Sequence, residues 1–413
     1  MRSLRYQFSI PNYLRVRAAD RLPLPLLASG KLPGLSEISE GARALPGPEW
    51  VRLKPRLCGI CGSDISMLTN RSGPALSPFI SFPLTPGHEV VADVVEAGAA
   101  AGAFAPGQRV VVNPIISCEM RGLPPCASCR RGEPGLCTNT AEGSLSPGML
   151  VGFCKDVPGG WAEEMIVHRS QLFAVPDELS DKTAVLIEPL SVAVHAVLKS
   201  PPPAEAKVLI IGSGTIGLLV LSAIRLLGHT CDVTMLARHP IQETMAMKLG
   251  ATRVLRDAGD AAVKIAGAKS YKPIKGKPAY AGGFDWVFDC AGSSRSVDDA
   301  FRVAGPNAHV VMVGCASELS HVEFSYVWAR ELQVSGCYVY GKEHGIEHQP
   351  HTFEITMKVL ADHPDFPLSE IVTHVVPLAD WREAMQLSLR RGSHGAIKVA
   401  FDCQVSGDRP GLD

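Results

Sequence analysis

The chain has 413 residues, 46% hydrophobic and 20% charged, with 40 Lys+Arg against 41 Asp+Glu. That length predicts two to three domains with sizeable cores. The balanced charge speaks against a nucleic-acid partner or a polybasic membrane-surface role.

Residues 1–50 are rich in Pro and Leu, as in Leu22-Pro23-Leu24-Pro25-Leu26-Leu27, with no clean period, so a loop-rich leader or insertion is expected there. Arg15, Arg17, Pro23 and Pro25 interrupt any apolar signal-peptide core, and a cytoplasmic location is expected. From Trp50 onward, Val51, Leu53 and Leu57 alternate with Arg and Lys and predict a strand. His88–Val95 and Arg109–Asn113 predict two more, separated by Gly- and Pro-containing turns. This first part therefore reads as strand- and loop-rich.

Around Ile187 the pattern changes. Glu188–Lys199 predicts a helix with Pro near its start. Val208–Ile211 is a short apolar strand that runs into Gly212-Ser213-Gly214-Thr215-Ile216-Gly217 and a helix over Leu218–Leu227. A strand over Asp232–Leu236, a helix over Gln242–Leu249, and strands over Trp286–Asp289 and His309–Val313 follow. This alternation predicts an α/β architecture with a doubly wound parallel sheet. The uncharged run Val208–Ile224 carries three glycines and is short for a membrane span. Residues 267–283 read as an inserted surface loop, and the tail as helices near Phe353–Leu360 and Trp381–Leu389 before a strand over Ala396–Phe401. His344, His348 and His351 lie close in sequence and read as a solvated loop.

The G-x-G-x-x-G between an apolar strand and a helix carries information because of that context. Its glycines allow a tight turn, and the helix N-terminus offers free N–H groups to a pyrophosphate. About 20 residues further on, NAD binders carry an acid for the ribose 2′-OH. That place is Ala237, followed by Arg238 and His239. A cation without a carboxylate favours a 2′-phosphate, hence NADP(H) over NAD(H).

Twelve cysteines in a long chain without an export signal point to metal or catalysis before disulfides. Four of them, Cys118, Cys126, Cys129 and Cys137, fall in one short stretch and can close a tetrahedral zinc site, with two disulfides as the alternative. A second set is dispersed: Cys58, Cys61, Ser63 and Asp64, then His88 and Glu89, then Glu188. Cys, His and carboxylate are the donors a catalytic zinc takes while keeping one position open.

Together, Gly59-Ile60-Cys61-Gly62-Ser63-Asp64, Pro86-Gly87-His88-Glu89, the four-cysteine lobe, Leu186-Ile187-Glu188-Pro189-Leu190 and the glycine loop resemble the zinc-dependent medium-chain dehydrogenase/reductases, above all their sorbitol and threonine dehydrogenase branch. The resemblance covers about residues 50–403. It implies a GroES-like catalytic domain over 1–187, a Rossmann domain over 188–344 and a return segment over 345–413. It further implies that Cys61, rather than Cys58, and His88 bind the catalytic zinc. Glu89 and Glu188 match carboxylates that ligate directly or through water. Neighbouring strand residues face opposite ways, which favours Glu188 or water as fourth ligand and Glu89 as an exchange partner. Ser63 matches the hydroxyl that passes on the alcohol proton, Asp64 supports the site, and Cys118, Cys126, Cys129 and Cys137 match the structural zinc. A homodimer or homotetramer is implied as well.

The chain departs from the family in four places. Glu119–Pro125 lengthens the spacing of the first two lobe cysteines, Ser66 stands where relatives carry a relay histidine, residues 1–50 are longer than usual, and Gly107-Gln108-Arg109 replaces the common Gly-Asp-Arg as a structural change. The expected activity is zinc-dependent alcohol–carbonyl interconversion of a small molecule by hydride transfer with NADP(H) or NAD(H). A C=C or iminium reductase on the same scaffold, or a catalytically silent cofactor-binding sensor, stays open at this level.

Overall fold

The computed structural model describes residues 1–21 and 30–404, so the Leu22–Leu27 run lies outside the described residues. Two compact units emerge, Met1–Glu188 with Val372–Asp413, and Pro189–Ile371. The return to the first unit thus falls at 371/372, whereas the resemblance implied 344/345. The intervening helix explains the difference: Thr356 on Thr352–Asp362 hydrogen-bonds Ser191 at 2.9 Å inside the second unit.

The first unit opens with strand β1 (Arg2–Tyr6), helix α1 (Ile10–Arg21) and strand β2 (Leu35–Ser39). This corrects the loop-rich leader. β1 and β2 pair antiparallel, Arg2 opposite Ser39 and Tyr6 opposite Leu35. Leu4 and Tyr6 are buried, so a period-2 face exists, but it is two residues long and its partner lies far along the chain. The ribbon docks through Leu4 N–H to Trp161 O (2.9 Å) and Tyr6 N–H to Leu84 O (2.8 Å).

The main sheet of this unit uses β3 (Trp50–Gly59), β4 (Glu89–Ala97), β5 (Arg109–Val112), β6 (Met165–His168) and β7 (Leu172–Ala174). The returning strands join it and are described below. Between β3 and β4 lies helix α2 (Gly62–Leu68). Inward residues such as Val51, Leu53, Val90, Ala92, Val110 and Trp161 form its core.

Helix α3 (Ile187–Lys199) begins at the junction of the units. The second unit then alternates β8 (Lys207–Ile211), α4 (Thr215–Leu226), β9 (Asp232–Leu236), α5 (Pro240–Lys248) and β10 (Arg253–Leu255). The insertion is not a bare loop. It holds a short antiparallel ribbon, β11 (Lys269–Tyr271) with β12 (Ala279–Ala281). Lys277 pairs with Asp298 at 2.7 Å, and Arg302 donates to the Tyr280 hydroxyl at 3.0 Å, which anchors the ribbon to the body of the unit. β13 (Phe284–Asp289), β14 (Ala304–Met312) and β15 (Gln333–Gly336) complete a parallel sheet of order β10-β9-β8-β13-β14-β15. That order reverses between β8 and β13, which places a crevice at the carboxyl ends of those strands.

Helix α6 (Thr352–Asp362) closes the second unit. The first is completed by β16 (Val372–Pro377), helix α7 (Trp381–Leu389) and β17 (Lys398–Asp402), in the sheet order β16-β17-β3-β4-β5-β7 with β6 beside β3. Among the described residues no helix is long and apolar enough to cross a membrane.

Candidate active site

β3 delivers Cys61 to the start of α2, and the Cys61 N–H donates to the Asp64 carboxylate at 2.9 Å. His88 sits in the turn after Gly87, whose φ is +99°, and β4 begins only at Glu89. The expected strand from His88 is therefore corrected by one residue. That shift matters, because the rule that neighbours on a strand face opposite ways does not bind His88 to Glu89. The donor atoms of Cys61, His88 and Glu89 all lie within 4.8 Å of one another. Glu188 is buried in the first turn of α3 but is not one of this trio.

The environment suits a cation. His88 Nδ1 faces Asp64 Oδ1 at 3.4 Å, and its Nε2 faces Ser63 Oγ at 3.4 Å. Burial works against a charge on His88, yet the Asp64 carboxylate and the Cys61 thiol hold its pKa well above the usual range. A carboxylate on Nδ1 is also the arrangement that orients a metal-bound imidazole through its other nitrogen. A zinc ion thus fits these donors by their type, closeness and field.

Sequence reasoning missed two basic residues here. Lys398, on β17, is fully buried and forms an ion pair with Glu89. Lys398 Nζ and Arg391 Nη2 also each donate to Ile60 O at 3.3 Å. The peptide that leads into Cys61 is therefore gripped at its oxygen by two cations and at its N–H by Asp64. The only signal in the sequence is a lysine heading an otherwise apolar strand.

Cys118, Cys126, Cys129 and Cys137 also bring their sulfurs within 4.8 Å of one another. None of the four is joined in a disulfide in this structure. Cys118 and Cys137 approach to 3.5 Å, and Cys118 Sγ accepts from Cys126 N–H and Asn139 Nδ2, both at 3.3 Å. Burial opposes the Cys126 thiolate, but N–H groups of Cys129 and Thr138 prevail and bring its pKa down to about 5. Burial pushes Cys137 up to about 11. Four sulfur donors at this spacing suit a divalent cation, and the lobe fits a structural zinc. The insertion Glu119–Pro125 carries Arg121, buried and donating to Glu142 O (3.0 Å), Leu145 O (3.0 Å) and Gly148 O (2.6 Å). It ties the lobe together.

In the second unit, Gly212 leaves β8 at φ +100°, and Gly214 caps α4. A Cβ on Gly217 would lie 1.8 Å from Gly212 O, so only glycine lets the helix approach the strand. Ser213 and Thr215 are buried and Ile216 is half-buried in the same turn. Ser213 Oγ and the Arg238 N–H both reach Gln242 Oε1, at 2.9 and 3.4 Å, so one side chain links the glycine loop to the end of β9. Arg238 itself is exposed. This is the arrangement that cradles a dinucleotide.

The histidine group separates. His344 and His348 are exposed, as read. His351 is half-buried: it caps α6, accepting the Phe353 N–H at 3.1 Å on Nδ1, and burial pushes its pKa down to about 4. Glu343 pairs instead with His195 at 2.9 Å.

A cysteine–histidine–carboxylate donor set, a four-thiol lobe and a dinucleotide turn on a parallel sheet define a zinc- and nicotinamide-dependent oxidoreductase. Residues 47–177 match the family model of the alcohol dehydrogenase GroES-like domain, and residues 215–361 that of the zinc-binding dehydrogenases. The L-threonine 3-dehydrogenase of Stenotrophomonas maltophilia (strain K279a) is 27% identical over 359 residues, 86% of this chain and 94% of its own length. The L-idonate 5-dehydrogenase of Vitis vinifera is 27% identical over 365 residues, 86% of this chain and 88% of its own. A zinc-binding dehydrogenase from Sinorhizobium meliloti 1021, solved with NADP bound, superposes with a TM-score of 0.71 at 28% identity over 91% of this chain and 97% of its own. The chain belongs to the zinc-dependent medium-chain dehydrogenases of the alcohol dehydrogenase-like family. It is an enzyme, an oxidoreductase of alcohols and ketones that uses zinc and NAD(P).

Proposed function

We propose that the chain interconverts a small alcohol and its carbonyl with NADP(H) in preference to NAD(H), and that Cys61, His88, Glu89 and Glu188 form the catalytic zinc site. The observation that carries the site assignment is the trio Cys61–His88–Glu89 with Asp64 on His88 Nδ1. Zinc there supplies Lewis-acid polarisation of the substrate oxygen, and bound dinucleotide supplies the hydride donor or acceptor. Cys61 and His88 hold the metal. Glu89, shared with Lys398, and the buried Glu188 supply the carboxylate side. Asp64, facing His88 Nδ1 at 3.4 Å, favours a proton on that nitrogen and so leaves Nε2 its lone pair. Ser63 Oγ, beside that nitrogen, would relay the alcohol proton, taking it while passing its own hydroxyl proton on to solvent. Arg238, with no acid at Ala237, supports the NADP(H) preference, and the related Sinorhizobium protein was solved with NADP. Cys118, Cys126, Cys129 and Cys137 hold the structural zinc. A cytoplasmic homodimer or homotetramer belongs to the same reading, and its mass in solution tests the assembly.

The deciding experiment is Cys61→Ser, assayed with NADPH and NADP on a panel of small carbonyls and hydroxy acids that includes threonine and idonate. Loss of turnover with unchanged NADPH binding is expected. Full activity of that variant would remove zinc from the chemistry.

A further inference from the structure

We propose that Arg256 is a second cation for the ribose 2′-phosphate of NADP(H), acting with Arg238; the inference rests on the NADP(H) reading above. β9 and β10 run parallel with Leu236 opposite Leu255, the last residue of each strand. One further main-chain bond, Ala237 N–H to Leu255 O at 2.8 Å, carries the pairing past both ends. Arg238 therefore leaves β9, and Arg256 leaves β10, at the same carboxyl edge of the sheet, on neighbouring strands about 4.8 Å apart.

Both side chains are exposed, and among the described residues neither guanidinium has a hydrogen-bond or ion-pair partner. Nearby arginines are committed. Arg253 pairs with Asp232 at 2.6 Å, and Arg225 donates to the carbonyls of Gly250, His229 and Cys231. The acids that neighbour the two free arginines in sequence are Asp257 and Glu243. Asp257 Oδ1 accepts the Gly259 N–H at 2.9 Å, inside its own loop, and Glu243 lies in the first turn of α5. Two unpaired guanidinium groups at adjacent strand ends repel each other without a counter-ion. A phosphate monoester, with close to two negative charges and three acceptor oxygens, matches two planar donor forks. The Gln242 bridge from Ser213 to the Arg238 N–H fixes this edge relative to the glycine loop.

The test measures binding to the zinc-loaded enzyme by titration calorimetry, with 2′,5′-ADP against 5′-AMP and with NADPH against NADH. Arg256→Ala, an exposed and unpartnered position, should leave Tm unchanged. It should weaken 2′,5′-ADP and NADPH by roughly 10-fold or more and leave 5′-AMP and NADH alone. Arg256→Lys should retain part of the affinity. If Arg238→Ala removes the preference for 2′-phosphorylated ligands while Arg256→Ala changes nothing, the second cation is refuted and the NADP(H) reading survives. If the unaltered protein binds 5′-AMP and NADH as tightly as their 2′-phosphorylated counterparts, the NADP(H) reading fails and Arg256 loses its role with it.

Discussion

The peptide between Ile60 and Cys61 is held at its N–H by the nearby Asp64 and at its oxygen by Arg391 and Lys398, two residues far along the chain. Lys398 bridges that peptide's oxygen and the buried Glu89 carboxylate. Removing one partner of a buried ion pair leaves a charge without compensation, at a cost of about 3–5 kcal/mol. Lys398→Met should therefore lower stability by that order in urea unfolding. The double variant Lys398→Met with Glu89→Gln should recover much of the loss, because neither charge remains. If the double variant is as unstable as the single, the pair is not what makes Lys398 necessary. Ser63 acts on chemistry rather than on stability. A positioned proton acceptor is worth roughly 10²–10⁴-fold, so Ser63→Ala should lower kcat within that range and leave Tm and NADPH affinity unchanged. An unchanged kcat would remove Ser63 from the proton path.

Helix α6 shows how an element can hold a pH response. His351 caps it by accepting the Phe353 N–H on Nδ1, which requires the neutral ring. Burial, aided by Lys342 and opposed by Glu343, lowers its pKa to about 4 from an ordinary value near 6.5. A histidine with a depressed folded pKa leaves stability intact above about pH 6.5 and withdraws it as pH falls toward 4, because the unfolded chain then binds the proton first. The gap corresponds to about 3 kcal/mol at most. His351→Asn, which keeps an acceptor at the cap, should flatten the acid limb of a Tm-against-pH curve; an unchanged limb would place the titration elsewhere. Elements differ in how plainly the sequence announces them. β8, β9 and the turn at Gly212–Gly217 were readable because apolar strands buried on both faces and a glycine turn are local signals. The β1–β2 ribbon was not, since only Leu4 and Tyr6 face inward and their partner strand follows a Pro/Leu-rich stretch. The site divides the same way. Cys61, His88 and the four lobe cysteines carry motifs. Lys398, Arg391 and Arg121 act through carbonyls and a carboxylate brought near only by tertiary folding. The onset of β4 at Glu89 turned on one residue, and that residue decided whether Glu89 could join the donors.

At the scale of the whole molecule, the first unit holds two candidate metal clusters, one of four thiols and one of Cys61, His88 and Glu89, that should respond differently to loss of metal, while the second carries the dinucleotide turn. Purified enzyme should contain about two zinc ions per chain. Cys61→Ser should reduce this to about one, abolish turnover and leave Tm and NADPH binding nearly unchanged, because Cys61 follows a strand already fixed by its sheet and is itself held by Asp64. Cys118→Ser should also leave about one ion, but with a clear fall in Tm. The lobe has little secondary structure beyond the short helix Ala127–Arg130, so its order depends on the metal and on Arg121. Arg121→Met should compound the loss, since the carbonyls of Glu142, Leu145 and Gly148 would lose their donor, the buried Gly148 O at about 1–3 kcal/mol. A chelator strong enough to strip both ions should therefore act in two stages, turnover failing with one ion and thermal stability with the other. Elemental analysis beside calorimetry reads both. One zinc per chain, with Cys118→Ser folded and unchanged in metal content, would refute the structural role of the lobe and leave its thiols to be explained by other chemistry.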